Sequence, residues 1–268
     1  MEVEMKKVMQ TQENQAIVTG TTGAIGFAIC KGLAEKNVPV IMVARDEEKA
    51  RKSKEKIIDS TGNQNIDYVL ADLSLQSNIK KIANEIKNPV FTLINNAGAT
   101  PKQRMLTREG IEMMWAVNVL SYFWMMKYFT PHLQKADDPR IINVASYWSG
   151  GLDLDDPEYK KRSYSNNSAY RASKQADKML TVAFAKKLEE ASIAVNACHP
   201  GDVNSNLSNN LGFGGSESPE EGARSSIWLA TDAVGRENSG KYFEHMREQS
   251  LNYDQAEIDR LFNICESY

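Results

Sequence analysis

No run of about 18 apolar residues, the length a helix needs to cross a bilayer core, occurs anywhere in the chain. A membrane-spanning helix is therefore not expected. The N-terminal segment, Met1 to Gln15, is charged and polar and lacks the apolar stretch of a secretory leader. Cysteine is sparse: Cys30, Cys198 and Cys265 lie far apart, are odd in number and form no C-x-x-C pair. That argues against a disulfide framework and a zinc site, and fits a reducing compartment. Net charge is nearly absent as well, with Lys and Arg totalling 32 against 35 Asp and Glu. Such a balance advertises neither nucleic acid nor an anionic membrane as partner. The expectation is a soluble, cytoplasmic protein whose ligand sits in a pocket. Internal repeats, low-complexity tracts and linker-like breaks are also lacking.

What the chain does have is 268 residues, 41% of them hydrophobic, enough for one large core or two small ones. Short β-branched runs alternate with longer amphipathic ones. Strands are expected at Ala16–Val18, Val40–Ala44, Tyr68–Leu70, Val90–Ile94, Arg140–Val144, Ile193–Ala197 and Lys241–Phe243. Helices are expected at 24–36, 47–58, 79–86, 108–133, 169–190 and 219–231. Parallel strands joined by helical crossovers form a doubly wound α/β sheet, which binds ligands beyond the carboxyl ends of its strands. Two segments fall outside the alternation, 147–168 and 204–218, and both read as loops over such a site.

Between the first strand and first helix lies Thr19-Gly20-Thr21-Thr22-Gly23-Ala24-Ile25-Gly26. Glycines there allow a tight turn and let backbone N–H groups meet a pyrophosphate. The second strand ends in Arg45-Asp46. An arginine at that position favours a ribose 2′-phosphate, so the cofactor expected is NADP(H), with NAD(H) as the alternative. Asp46 reads equally well as the cap of the next helix, and Asp72, after the third strand, as either an adenine contact or a cap.

Tyr170 and Lys174 lie four residues apart in Tyr170-Arg171-Ala172-Ser173-Lys174 and share one helix face. A free phenol titrates near ~10, so exchanging protons near neutrality requires about 4 kcal/mol of selective support for the phenolate. A fixed cation gives support of that sign. Taken alone, the pair would be an ordinary i,i+4 contact worth a few tenths of a kcal/mol.

With Asn95-Asn96-Ala97-Gly98 after the fourth strand, Asn118 in the next helix and Ser146 after the fifth strand, the chain resembles the short-chain dehydrogenase/reductase family over roughly residues 14–246. The retinol-dehydrogenase-like branch is the most similar. The features that carry this are Arg45-Asp46, the 24-residue spacing from Ser146 to Tyr170, His199-Pro200-Gly201, Pro219-Glu220-Glu221-Gly222-Ala223 and Ser239-Gly240-Lys241-Tyr242-Phe243. The resemblance implies one domain over residues 1–268, a Rossmann fold with a mostly parallel seven-stranded sheet, that interconverts a carbonyl and an alcohol by hydride transfer. Tyr170 would be the general acid and base, Lys174 would lower its pKa and hold the nicotinamide ribose, Ser146 would bond the substrate oxygen, and Asn118 would hold a water. Gly20, Thr22, Gly23, Ile25, Gly26, Arg45, Asp72 and Leu73 would line the cofactor, as would Asn95, Ala97 and Gly98 on the adenosine ribose side. Pro200, Gly201 and Val203 would flank the carboxamide, and Ser205 would lie near the pyrophosphate.

Two departures stand out. Gly20, Gly23 and Gly26 follow the glycine spacing of the family's extended branch, which also admits epimerase or dehydratase chemistry, and no N-terminal anchor like that of many retinol dehydrogenases is evident, which argues against retinoids. A different class of reading is a cofactor-binding regulatory module without turnover; Ser146, Tyr170 and Lys174 together speak against it. The substrate expected is a small hydrophobic carbonyl compound or alcohol, with Tyr147, Trp148 and Tyr164 either lining its cleft or packing the loop. The Met and Trp residues of 113–126 read as core, and His132, His199 and His245 have no metal-ligand spacing. Relatives associate through their long helices, so a homodimer or homotetramer is within what the resemblance implies.

Overall fold

A computed structural model describes residues 14–268; the polar segment at 1–13 lies outside the described residues. Eight strands form one sheet: β1 (Gln15–Thr19), β2 (Val40–Ala44), β3 (Ile66–Leu70), β4 (Val90–Asn95), β5 (Arg140–Val144), β6 (Ala194–His199), β7 (Tyr242–Glu244) and β8 (Arg247–Gln249). Their order is β3-β2-β1-β4-β5-β6-β7-β8. All neighbours pair in parallel except β7 and β8. The central strands β1, β5 and β6 are buried at every residue, as expected where helices cover both faces of a parallel sheet.

The helices are α1 (Ala24–Glu35), α2 (Glu47–Thr61), α3 (Gln76–Glu85), α4 (Ser121–Leu133), α5 (Asn166–Lys187), α6 (Asn206–Asn210), α7 (Pro219–Thr231), α8 (Val234–Glu237) and α9 (Gln255–Glu266). Two cores result, one per face. Ile29 and Leu33 of α1 meet Ala223 and Leu229 of α7 on one side. On the other, Ile79 and Ile82 of α3, Phe123 and Phe129 of α4, and Met179 and Leu180 of α5 pack together. Trp115, Trp124, Met125 and Met126 are buried in this second core. Cap chemistry sets several helix starts: Asp46 accepts from Lys49 N at 3.0 Å to begin α2, and Ser218 and Glu221 form a reciprocal capping box with Pro219 at the start of α7.

The fold departs from the sequence expectation at several places, the short α6 and α8 among them. The sheet has eight strands, not seven, because residues 245 and 246 turn the chain back on β7. His245 and Met246 both take positive φ, 46° and 61°, without the Asn or Gly that signals such a turn, and β8 is exposed along its length. The helix expected over 108–133 begins later: Leu106 bridges to Glu112, a π-helical turn occupies Trp115–Leu120, and α4 follows. Finally, the C-terminal α9 was not anticipated. Asp254 caps it by accepting from Ala256 N at 2.8 Å and Glu257 N at 3.3 Å. Phe262 stands edge-on to Phe123 at 5.0 Å, with Lys127 paired to Glu266 beside it.

None of the described helices is long and apolar enough to cross a membrane, and Cys30, Cys198 and Cys265 are buried free thiols. Leu261, on the inner face of α9, is fully buried. Truncation by Leu261→Ala is expected to cost about 2–5 kcal/mol. Urea unfolding checks this, and an unchanged midpoint would show that α9 does not contribute to the core.

Candidate active site

The winding of the sheet reverses between β1 and β4, and a cavity of about 620 Å³ opens at their carboxyl ends. Its floor is the glycine turn. Gly20 has φ +69°, and a Cβ there would come within 2.8 Å of Ala97 Cα. A Cβ on Gly26 would stand 2.3 Å from the Gly20 carbonyl oxygen, so only glycine lets α1 start this close to the turn. Gly23 is the N-cap of α1 and makes no side-chain cap bond, which leaves first-turn N–H groups for an anionic ligand. Gly20, Thr22, Gly23, Ile25 and Gly26 all line the cavity, as do Arg45, Asp72, Leu73, Ala97, Gly98 and Ser205.

Some neighbours were not expected. Lys49, one turn into α2, lines the same end as Arg45. Asn96 lines the cavity in place of Asn95: successive strand side chains point to opposite sides, and Asn95 is buried in the sheet, donating to Asn143 Oδ1 at 2.9 Å. Asn96 Nδ2 donates to the Thr19 carbonyl at 2.9 Å, while Thr19 Oγ1 accepts from the backbone of Asn96 and Ala97 at 2.8 and 3.0 Å. Asp72 accepts from Ser74 N and Oγ at 3.0 and 2.7 Å, a local turn at the cavity edge. Ser205 caps the short α6.

A second, tighter space of about 70 Å³ adjoins the first through Ile25, Asn96, Gly98, Ser205 and Leu207. Ser146, Tyr170, Lys174, Pro200, Gly201 and Val203 line it. Helix α5 carries Tyr170 and Lys174 on one face. Lys174 Nζ donates to the Val144 carbonyl at the end of β5 at 2.9 Å and to Asp177 Oδ2 at 2.8 Å. It lies 5.9 Å from the Tyr170 ring centroid. Asn118, in the π-helical turn, accepts from Ala99 N at 2.8 Å and donates to Ser173 Oγ at 3.2 Å, joining the 97–99 loop to α5. Turns of this type are frequent at functional sites.

The two irregular segments meet over Tyr170. Trp148 lies 6.2 Å from its ring and stands edge-on to Phe213 at 5.3 Å, and Leu207, Leu211 and Tyr164 join the same apolar cluster. Tyr164 Oη also donates to the Pro101 carbonyl at 3.1 Å. Segment 204–218 is not irregular throughout, since it holds α6 and bridges Val203 to Glu217.

A model of the family described as short chain dehydrogenase matches residues 14–213. The chain belongs to the short-chain dehydrogenase family. It is 30% identical over 254 residues to retinol dehydrogenase 13 of Homo sapiens, covering 87% of this chain and 77% of that protein, and lies in the retinol-dehydrogenase-like branch. An uncharacterized protein from Mycobacterium Paratuberculosis shares the fold at a TM-score of 0.79 and 24% identity, over 95% of this chain and 92% of that one. The Pseudomonas aeruginosa RhlG/NADP active-site complex is similar at a TM-score of 0.69 and 25% identity, over 86% and 94% of the two chains. This short-chain dehydrogenase is thus an oxidoreductase of the nicotinamide-dinucleotide class.

The electrostatics of its site differ in one respect from what the Tyr170/Lys174 spacing suggests. Burial pushes the Tyr170 phenol above its ordinary value; the Lys174 ammonium and the Ser146 hydroxyl pull it back only in part, and Asp177 and Asp202 push the same way as burial. Burial also works against the Lys174 ammonium, but Asp177, Tyr122 and Tyr170 more than offset it and hold the lysine protonated. His199, edge-on to Tyr147 at 4.7 Å, is pushed down to about 4, mainly by burial, with His245 and Lys178 adding to it against Glu244. No group of His, Cys, Asp and Glu among the described residues could hold a metal ion.

His199 generates a pH prediction for this dehydrogenase. Its folded value lies below the ordinary 6.5, so its contribution to stability is complete above that value and is lost as pH falls towards about 4. A shift of that size corresponds to roughly 3 kcal/mol. His199→Gln should flatten the fall in urea midpoint over this window; an identical fall in the variant would show that other groups cause it.

Proposed function

We propose that this chain is an NADP(H)-dependent reductase that converts hydrophobic aldehydes or ketones to alcohols, and runs in reverse when the cofactor pool is oxidised. The observation that carries the reading is the continuity of the two cavities: the glycine turn and Arg45 at one end, and Ser146, Tyr170 and Lys174 at the other, line adjoining walls. The absence of room for a Cβ at Gly26 fits a turn shaped for a dinucleotide. Both ends rest on one sheet, so the chain is read as a single catalytic domain.

Hydride chemistry is supplied by the dinucleotide when bound. The chain's own residues bind, orient and move a proton. Uncapped N–H groups at the start of α1, with Ser205 opposite, would hold the pyrophosphate, and Arg45 with Lys49 would bind a 2′-phosphate. Asp72 and Leu73 would border the adenine, and Ala97 and Gly98 the adenosine ribose. Pro200, Gly201 and Val203 would position the carboxamide. Ser146 would donate to the substrate oxygen as charge develops on it, and Tyr170 would deliver the proton. Lys174 would hold the nicotinamide ribose and support the phenolate left behind, with Asn118 fixing a water on its path to solvent. Burial holds the phenol above its ordinary value, so it would carry its proton at neutral pH, as the donor in the reductive half of the reaction must. The NADP complex of a structural relative supports the cofactor choice.

Trp148, Phe213 and Leu207 offer the substrate an apolar wall, in keeping with a relative named for retinol. The three buried thiols fit a reducing, cytoplasmic setting.

Purified protein is expected to oxidise NADPH when given a panel of aromatic and long-chain aldehydes and ketones. Tyr170→Phe should reduce turnover by at least about a hundredfold while cofactor binding, followed by NADPH fluorescence, stays intact. Equal turnover in wild type and variant would sink the reading. Arg45→Gln should raise the KM for NADPH by about tenfold or more and leave that for NADH nearly unchanged.

A further inference from the structure

Tyr170, Lys174, Asp177 and Thr181 occupy positions i, i+4, i+7 and i+11 of α5 and form one buried stripe facing the sheet. Three of the four have an evident task. Tyr170 and Lys174 belong to the site, and Thr181 Oγ1 accepts from Asn143 Nδ2 at 2.9 Å. Asp177 does not. Its carboxylate is 0% exposed, caps no helix, and accepts one side-chain hydrogen bond, from Lys174 Nζ. Its other oxygen, Oδ1, is buried without a partner. Carrying a carboxylate into such a place is unfavourable unless its charge is used, and an apolar residue of similar size would pack there at lower cost.

Resting on the function proposed above, we infer that Asp177 is a positioning residue: its carboxylate holds the Lys174 ammonium towards β5 and screens it from Tyr170, keeping the phenol protonated as the acid. The geometry gives the sense of the effect. Lys174 has three N–H donors, of which one goes to the Val144 carbonyl and one to Asp177. The negative charge is 2.8 Å from the ammonium, whereas the Tyr170 ring centroid is 5.9 Å away. At the phenol, the carboxylate cancels part of the cation's field.

The charged and titratable groups around this pair come from four elements. Lys174 and Tyr170 face Asp177 from α5 itself. Tyr122 reaches in from α4, its ring 5.1 Å from Lys174 Nζ, and Cys265 from α9 feels the carboxylate. Cys198 of β6 feels Lys174, and Asp202 acts on Tyr170 from the far side. Lys174 is the cation of this set, so removing the Asp177 charge leaves its field on the phenol unopposed from that side. Burial raises the Asp177 carboxyl to about 6 against the pull of Lys174, so the screening is present at neutral pH and fades in mild acid.

The test follows the phenol itself. With tyrosine labelled at the ring carbon bearing oxygen, and the Tyr170 resonance assigned by its loss in Tyr170→Phe, the cofactor-free protein is titrated by NMR from about pH 6 to about pH 11. In Asp177→Asn, a near-isosteric change, half-titration should come at least about one pH unit lower than in wild type. Asp177→Glu, which restores the charge, should return it towards the wild-type position. Asp177→Leu provides a second neutral variant with the same expected direction, and circular dichroism verifies that each protein titrated is folded. A role confined to packing would change the unfolding midpoint of Asp177→Asn without moving the Tyr170 titration, and that result overturns the inference. In the kinetic arm, the alkaline limit of NADPH-dependent reduction should shift to lower pH in Asp177→Asn in parallel with the NMR midpoint. A moved titration in a protein that reduces nothing in the carbonyl panel would leave Asp177 in its role and remove the functional reading.

Discussion

Thr19 holds the site open. Its hydroxyl accepts two backbone N–H groups from the Asn96–Ala97 segment, and its carbonyl takes the Asn96 side chain, so the ends of β1 and β4 are tied together where the winding of the sheet reverses. Crossovers leave in opposite directions from these two strands, and no helix can cover the crevice between them. The cavity is built around that gap, with the glycine turn and α1 on one side and the 97–99 loop, tied to Asn118, on the other. Deeper in the sheet, a second polar chain from Asn95 through Asn143 to Thr181 fixes α5 against β4 and β5. Because Tyr170, Lys174 and Asp177 sit on α5, their reach into the crevice depends on that attachment.

Desolvation dominates the chemistry of the inner end. A fully wet Tyr/Lys pair would have a phenol eased downward by the cation. Here both side chains are buried and the cation has a carboxylate at closer range than the phenol, so the phenol moves upward instead. On the proposed reading Tyr170 would start protonated, and Lys174 would support the phenolate as the proton leaves. Trp148, Phe213 and Leu207 add an apolar wall to this closed setting, which on the proposed reading would exclude water and give a carbonyl substrate a surface to pack against.

Much of the fold could be read from residue patterns because those patterns are local. Short β-branched runs and longer amphipathic stretches located the seven parallel strands and the crossover helices, and Asp46 marked the start of α2 by its cap chemistry. The misses are equally local in cause. His245 and Met246 make a tight turn without a turn residue, and β8 is a charged edge that lacks alternation. Helix α9 turns its apolar face inward, where Phe262 meets Phe123 of α4 and Phe184 of α5, and that partner surface is set by tertiary packing. Asn95 and Asn96 exchange places because a single step along a strand reverses the direction of a side chain. Asp177 was within reach of the sequence, three residues beyond Lys174 on the same helix, but an acid at that spacing is ordinarily a solvent-exposed partner.

The order of elements, the place of each motif beyond a strand, and the shared face of Tyr170 and Lys174 were settled by covalent spacing alone, since helix and strand periods follow from backbone geometry. The tertiary structure decided which side chains lose their water and what replaces it. It joined the two loops over Tyr170, set Lys49 beside Arg45, and enclosed Asp177 with Lys174. Proton affinities in such a place are sums over neighbours drawn from α4, α5, α9 and β6, and no single stretch of chain contains that sum.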